Sequence, residues 1–270
     1  MSTTRGLRDR DEPITMLTAY DALTAGIVED CGIDIILVGD SMGTTVLGYD
    51  NTLPVTLEEA KSRTAAVARG TDEVLVVADM PFLSVGVDEA QTVRNAGEML
   101  KDAGADAVKL ESGPHTVETT NRLTQLGIPV MAHLGLTPQH VNQLGGYTRQ
   151  GTTTEAAEEI LSLAVDHEAA GAFALVLEHV PANVASLVTD RLEIPTIGIG
   201  AGSDCDGQVL VGTDVMGLSE QIPPFAEPFG DLKREMTEAI EAYREAVESG
   251  AFPAAEHSHI QEDLDLEETQ

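Results

Sequence analysis

Short runs of consecutive apolar residues alternate along this chain with longer stretches whose apolar positions fall three and four residues apart. The runs occupy 14–19, 34–39, 74–78, 107–110, 129–134, 172–177, 195–200 and 208–212. Nearly unbroken apolar runs of this length are typical of parallel strands buried on both faces. The periodic stretches, including 22–31, 57–69, 88–103 and 155–170, predict amphipathic helices between them. Gly32, Gly70, Gly104, Gly127 and Gly171 stand where a helix should stop and a strand begin, the position at which glycine commonly terminates a helix. Strands alternating with helices imply a parallel sheet, and eight such units fit a single-domain (β/α)8 TIM barrel. The barrel is expected over residues 1–255, with an acidic, aperiodic tail at 256–270.

An open doubly wound sheet is the alternative architecture, but no Gly-x-Gly-x-x-Gly opens a helix after the first strand. The nearest string, Gly198-Ile199-Gly200-Ala201-Gly202, comes at the seventh strand. Two readings stay open for it: backbone contacts to a phosphate or substrate, or a tight turn that needs glycine's φ freedom.

Charge narrows the classes of function. The 270 residues carry 46 Asp and Glu against 15 Lys and Arg, a net charge of −31, which disfavours nucleic acid as a partner. The acid is spread along helix faces, as in Glu155, Glu158 and Glu159, and suggests a surface built for a salt-rich cytoplasm. At molar salt the Debye length shrinks to about 3 Å, so self-repulsion is largely screened. Cys31 and Cys205 lack metal-ligand spacing and read as reduced thiols. No apolar run approaches membrane-spanning length, and the polar start of the chain has no apolar signal core, so a cytoplasmic protein without a membrane partner is expected.

Four acids follow apolar runs directly: Asp40, Asp79, Glu111 and Glu178. A carboxylate at the end of a core strand is costly unless paired, and the C-terminal strand ends of α/β barrels are where catalytic groups collect. The bland alternative makes Asp40 and Asp79 helix caps, but Glu is a poor cap and fills the equivalent place twice. Oxygen ligands alone suit a hard divalent cation such as Mg²⁺. Lys109 is two residues before Glu111 and should share its face; an anionic substrate or a structural ion pair could each account for it. Glu178 stands apart from the other three acids, and a partly desolvated carboxylate there could act as a general base. His133, on the fifth run, is either a polar site residue or a hydrogen-bonded core histidine.

Several strings carry a family resemblance: Thr18-Ala19-Tyr20-Asp21, Leu37-Val38-Gly39-Asp40-Ser41-Met42-Gly43, 48–56, Ala78-Asp79-Met80-Pro81-Phe82, Val108-Lys109-Leu110-Glu111, His133-Leu134-Gly135-Leu136-Thr137-Pro138-Gln139, Leu177-Glu178-His179-Val180-Pro181 and Ile197–Gly202. In this order they resemble the ketopantoate hydroxymethyltransferase family from about Ile14 to about His257. The resemblance implies transfer of a one-carbon unit from 5,10-methylenetetrahydrofolate to the 2-oxoacid 3-methyl-2-oxobutanoate, giving 2-dehydropantoate for pantothenate and coenzyme A synthesis. It further implies a Mg²⁺ site at Asp40, Asp79 and Glu111, substrate contacts at Asp40, Ser41, Asp79 and Lys109, and Glu178 as proton acceptor. His133 is read as a further substrate-side residue that orients a group or relays a proton. The family's assembly is a homo-oligomer, commonly a decamer.

On this reading Mg²⁺ chelated by the oxoacid makes its C3 proton removable and stabilises the enolate that attacks the folate methylene. The three metal acids should converge on one point, with Glu178 facing it from across the barrel. The rivals are a Mg²⁺-dependent mutase or lyase acting on 2-oxoacids and a non-catalytic oxoacid-binding barrel. The chain lacks the Lys-Lys-Cys-Gly-His loop of the lyases.

Overall fold

The computed structural model describes residues 4, 6, 7 and 12–261, so residues 262–270 of the expected tail lie outside the described residues. Eight parallel strands close into a barrel in sequence order: β1 (Ile14–Thr18), β2 (Ile35–Val38), β3 (Leu75–Asp79), β4 (Ala107–Glu111), β5 (Val130–Gly135), β6 (Ala174–Glu178), β7 (Thr196–Ile199) and β8 (Gly207–Leu210). The expected (β/α)8 barrel is therefore the fold. Helices α1 (Ala22–Asp30), α2 (Met42–Thr45), α3 (Leu57–Arg69), α4 (Glu89–Lys101), α5 (Val117–Gln125), α6 (Val141–Leu144), α7 (Thr154–Ala169), α8 (Ala182–Arg191), α9 (Gly212–Val215) and α10 (Leu232–Glu248) occupy the connections and the end of the described chain.

Local chemistry sets these boundaries. Helix α3 opens with a capping box in which the Thr56 hydroxyl accepts from the Glu59 amide at 3.2 Å and Glu59 accepts from the Thr56 amide at 2.8 Å. Ala60, Thr64 and Val67 then turn one face of α3 onto the sheet. Four of the five expected glycine stops adopt left-handed φ: 79° at Gly32, 78° at Gly104, 84° at Gly127 and 94° at Gly171. Gly70 does not, with φ −93°. Space explains that glycine instead, because a Cβ there would lie 2.4 Å from the Ala22 carbonyl oxygen.

All eight strands contribute to one interior core, including Ile14, Met16, Ile35, Leu37, Leu75, Val77, Ala107, Met131, Ala174, Val176, Ile197 and Val209. Truncating a fully buried member such as Met131 to alanine costs about 2–5 kcal/mol. Two further clusters fill the space between sheet and helices. Around the outside, α1 packs on α3, α3 on α4, α4 on α5, α5 on α7 and α7 on α8. Helix α10 differs: none of its residues is buried, and Met236, Ile240, Tyr243 and Val247 form an exposed apolar stripe. No helix among the described residues is long and apolar enough to cross a membrane.

Candidate active site

The interior alternation of the strands places most of the site. Inward positions are apolar at the lower levels, Leu75 and Val77 on β3, Ala107 on β4, Met131 on β5, Ala174 and Val176 on β6. Two residues further along the same face come Asp79, Lys109, His133 and Glu178, with Glu111 one step beyond Lys109. The strand register sets Asp79 beside Lys109 and Glu111 beside His133. The upper end of the barrel thus carries ionisable groups on the surface that is apolar below.

Asp79 Oδ1 lies 2.7 Å from the Lys109 ammonium. Lys109 Nζ is also 3.3 Å from His133 Nδ1, and His133 Nε2 is 3.2 Å from Glu178 Oε2. These contacts form a continuous polar line from β3 across β4 and β5 to β6. Asp40, two residues past β2, donates its backbone N–H to Asp79 Oδ2 at 3.3 Å. Gln139, in the 3₁₀ turn Pro138–His140 after β5, donates its main-chain N–H to both oxygens of Glu111 at 3.2 and 3.0 Å. Its side-chain Nε2 donates to Asp40 Oδ2 at 2.9 Å and to the Met80 carbonyl at 3.0 Å.

Burial and mutual repulsion dominate the electrostatics. Burial pushes the Asp40 carboxyl well above its usual range, and the charges of Asp79 and Glu111 push it further. Burial raises Glu111 in the same way, while Lys109 and the Gln139 amide oppose the rise. For Lys109 burial acts downward, yet the surrounding Asp79, Asp40 and Glu111 hold its ammonium above the usual lysine value. Burial lowers His133, helped by Lys109, so its imidazole is neutral. An ammonium can only donate, so His133 Nδ1 accepts from Lys109 and the ring proton belongs on Nε2, facing Glu178.

The donor set fits a divalent cation. Three buried carboxylates share one ammonium, and Asp79 Oδ1 makes no hydrogen bond of proper geometry despite its ion pair with Lys109. All the donors are hard oxygens. Among the described residues, however, no three His, Cys, Asp or Glu side chains form a ready-made metal cage. Fewer protein oxygens, completed by water and a substrate's own oxygens, match the way Mg²⁺ is ordinarily held.

The remaining expected residue, Ser41, lies beside Asp40 but bonds Tyr20 Oη at 2.9 Å, in a chain that continues from Tyr20 to Thr18 at 2.8 Å. Neither Asp40 nor Asp79 caps a helix: α2 begins after Ser41 without a side-chain cap, and Asp79 ends β3. The glycine string after β7 has a turn's conformation, with φ 62° at Gly200 and 87° at Gly202. A Cβ on Gly200 would meet the Phe225 ring at 2.9 Å. Reading single strands overlooked Gln139 and His140, whose Nδ1 is 3.7 Å from Glu111 Oε2, because both lie in the turn after β5 and not on a strand. The sequence signal for Gln139 was its place in the string from His133. Beside Glu111 opens a cavity of about 210 Å³ bordered by Met80, Phe82, Leu83, His115 and His140.

A family model described as ketopantoate hydroxymethyltransferase matches residues 1–255. The chain is 67% identical to a 3-methyl-2-oxobutanoate hydroxymethyltransferase of Haloarcula marismortui over 98% of this chain and 99% of that protein. It is 68% identical to the protein of that name in Halobacterium salinarum, over 95% and 94% of the two chains, and 53% identical to that in Geotalea uraniireducens, over 93% and 95%. Among solved structures, a phosphoenolpyruvate phosphomutase from Streptomyces platensis is similar at TM-score 0.62, with 15% identity over 91% of this chain and 86% of that one. A phosphonopyruvate hydrolase in complex with oxalate and Mg²⁺ is similar at TM-score 0.59, with 14% identity over 95% and 93%. At these identities the structural likeness concerns the fold.

Proposed function

The chain belongs to the ketopantoate hydroxymethyltransferase family and is a transferase, and from that premise we propose that 5,10-methylenetetrahydrofolate is its donor and 3-methyl-2-oxobutanoate its acceptor. The product is then 2-dehydropantoate, on the route to pantothenate and coenzyme A. The observation that carries this reading is the unbroken line Asp79–Lys109–His133–Glu178 across four adjacent strands. It sets a cation-binding carboxylate at one end and a base at the other, with a donor-only ammonium and a neutral imidazole between them.

Asp40, Asp79 and Glu111 would hold Mg²⁺, directly or through water. When bound there the ion supplies Lewis-acid polarisation of the keto oxygen and offsets the clustered negative charge. Ser41 and Lys109 contact the oxoacid, with the ammonium placed to stabilise negative charge that develops on its oxygens. Glu178, only partly buried, takes the proton from C3, and His133 stands with Nε2 3.2 Å from the carboxylate, ready to orient it or relay its proton. The C3 electron pair then forms a bond to the donor's one-carbon unit; water supplies the hydroxyl and tetrahydrofolate leaves. The cavity beside Glu111 offers the donor room next to the oxoacid.

The apolar stripe of α10 supports a homo-oligomer, a decamer if the chain follows its family. The net charge of −31, together with relatives from Haloarcula and Halobacterium, supports work in a salt-rich cytoplasm. The test is direct. Protein, 3-methyl-2-oxobutanoate, methylenetetrahydrofolate and Mg²⁺ in high salt should yield 2-dehydropantoate; an absence of product at saturating substrates would overturn the assignment.

A further inference from the structure

The contacts of Gln139 go beyond this assignment and rest on it. One residue joins the loops after β2, β3 and β5: its side-chain amide holds Asp40 Oδ2 and the Met80 carbonyl, while its main-chain amide is shared by the two oxygens of Glu111. Asp40 and Glu111 are both buried, and a buried carboxylate keeps one orientation only where a fixed donor holds it. Gln139 supplies that donor to both. It commits Oδ2 of Asp40 and leaves Oδ1 with no hydrogen bond among the described residues. Pro138 fixes the turn in which Gln139 sits, and the His140 amide closes it by donating to the Thr137 carbonyl at 2.9 Å.

We propose that Gln139 is a positioning residue for the cation: it aims the free oxygen of Asp40, and the carboxylate of Glu111, at one place. Groups that orient metal ligands through hydrogen bonds are worth about 10–100-fold in metal affinity. Gln139 is the clamp in this site because, among the described residues, no other donates to both acids.

The variant Q139M keeps side-chain length, leaves the main-chain amide on Glu111 in place and removes the side-chain bonds to Asp40 and to the Met80 carbonyl, which a D40N background tells apart. Mg²⁺ binding to the full-length protein in high salt, measured by calorimetry, should weaken about 10-fold or more. The melting temperature without metal checks that the barrel is intact. If Gln139 acts through Asp40, Q139M should weaken binding far less in a D40N background than in the wild type. Unchanged Mg²⁺ affinity in Q139M, or full additivity with D40N, overturns the clamp and leaves the proposed activity standing. A wild-type protein that binds no Mg²⁺ overturns both.

Discussion

The imidazole of His133 stands between two charged groups, with Nε2 3.2 Å from Glu178 Oε2 and Nδ1 3.3 Å from the Lys109 ammonium. Lys109 can only donate, so it selects the tautomer that presents Nε2–H to Glu178. In the free protein that N–H is off the hydrogen-bonding angle, a common state for a catalytic contact before substrate arrives. Glu178→Gln should therefore retain Mg²⁺ and oxoacid binding and lose deuterium exchange at C3 of 3-methyl-2-oxobutanoate by about 10²–10⁴-fold. His133→Gln, which still offers an N–H, should keep more of the exchange rate than His133→Leu. Undiminished exchange in the Glu178 variant would rule it out as the base.

The eight strands were legible because each is a compact apolar run, and the structure moves their ends by only one or two residues. Asp79, Glu111 and Glu178 were legible for the same reason: each closes the run it follows. Contacts between strands were not. The meeting of Lys109 with His133 depends on the β4–β5 register, in which Glu111 is opposite His133 and Lys109 opposite Met131. Gln139 reaches Asp40 across 99 residues of chain, and no periodicity reports that distance. Gly70 shows the converse limit. Its place after a helix predicted a left-handed cap, whereas the closeness of Ala22 is what requires glycine.

His167 gives the fold a dependence on pH that is separate from catalysis. It is wholly buried on α7, with Nδ1 3.0 Å from Thr120 Oγ1, and burial holds its pKa below the ordinary histidine value. The Gly113 backbone and Asp166 pull the other way, and His115 adds to the lowering. A depressed histidine pKa means that, on acidification, the unfolded chain takes up a proton before the folded one does. The stability it contributes is full above the unfolded value of about 6.5 and falls as pH drops below it. His167→Gln removes that term. Between about pH 7.5 and about pH 5 the wild type should lose more Tm than the variant, by a few degrees for a chain of this size. Parallel Tm curves would exclude the effect.

The surface charge sets a second condition. A net charge of −31 repels itself over a Debye length of about 10 Å at 0.1 M salt and about 3 Å at 1 M. Few cations sit within the acidic faces to offset this, and the surface pairs present, such as Lys233 with Glu220 at 2.8 Å, are exposed and worth little. Dialysis from molar salt to about 0.1 M should lower the Tm and expose the core, read by circular dichroism. A Tm that is independent of salt would contradict the halophilic reading.

Helix α10 carries the case for assembly. Its acidic face holds residues such as Glu238, Glu241, Glu245 and Glu248, while Met236, Ile240, Tyr243 and Val247 repeat at intervals of four, three and four on one stripe. A 17-residue helix that buries none of its residues gains little from its own barrel. Covering the four apolar side chains, each 46–64% exposed, with a second copy would stabilise the assembly by roughly 1 kcal/mol each. A paired change of Ile240 and Tyr243 to Asp places two charges in that contact, where burial is prohibitive without a partner. The variant should sediment as a smaller species in high salt and keep the circular dichroism of the barrel, since neither side chain is buried within its own chain. An unchanged sedimentation coefficient would show that α10 faces solvent in the assembly as well.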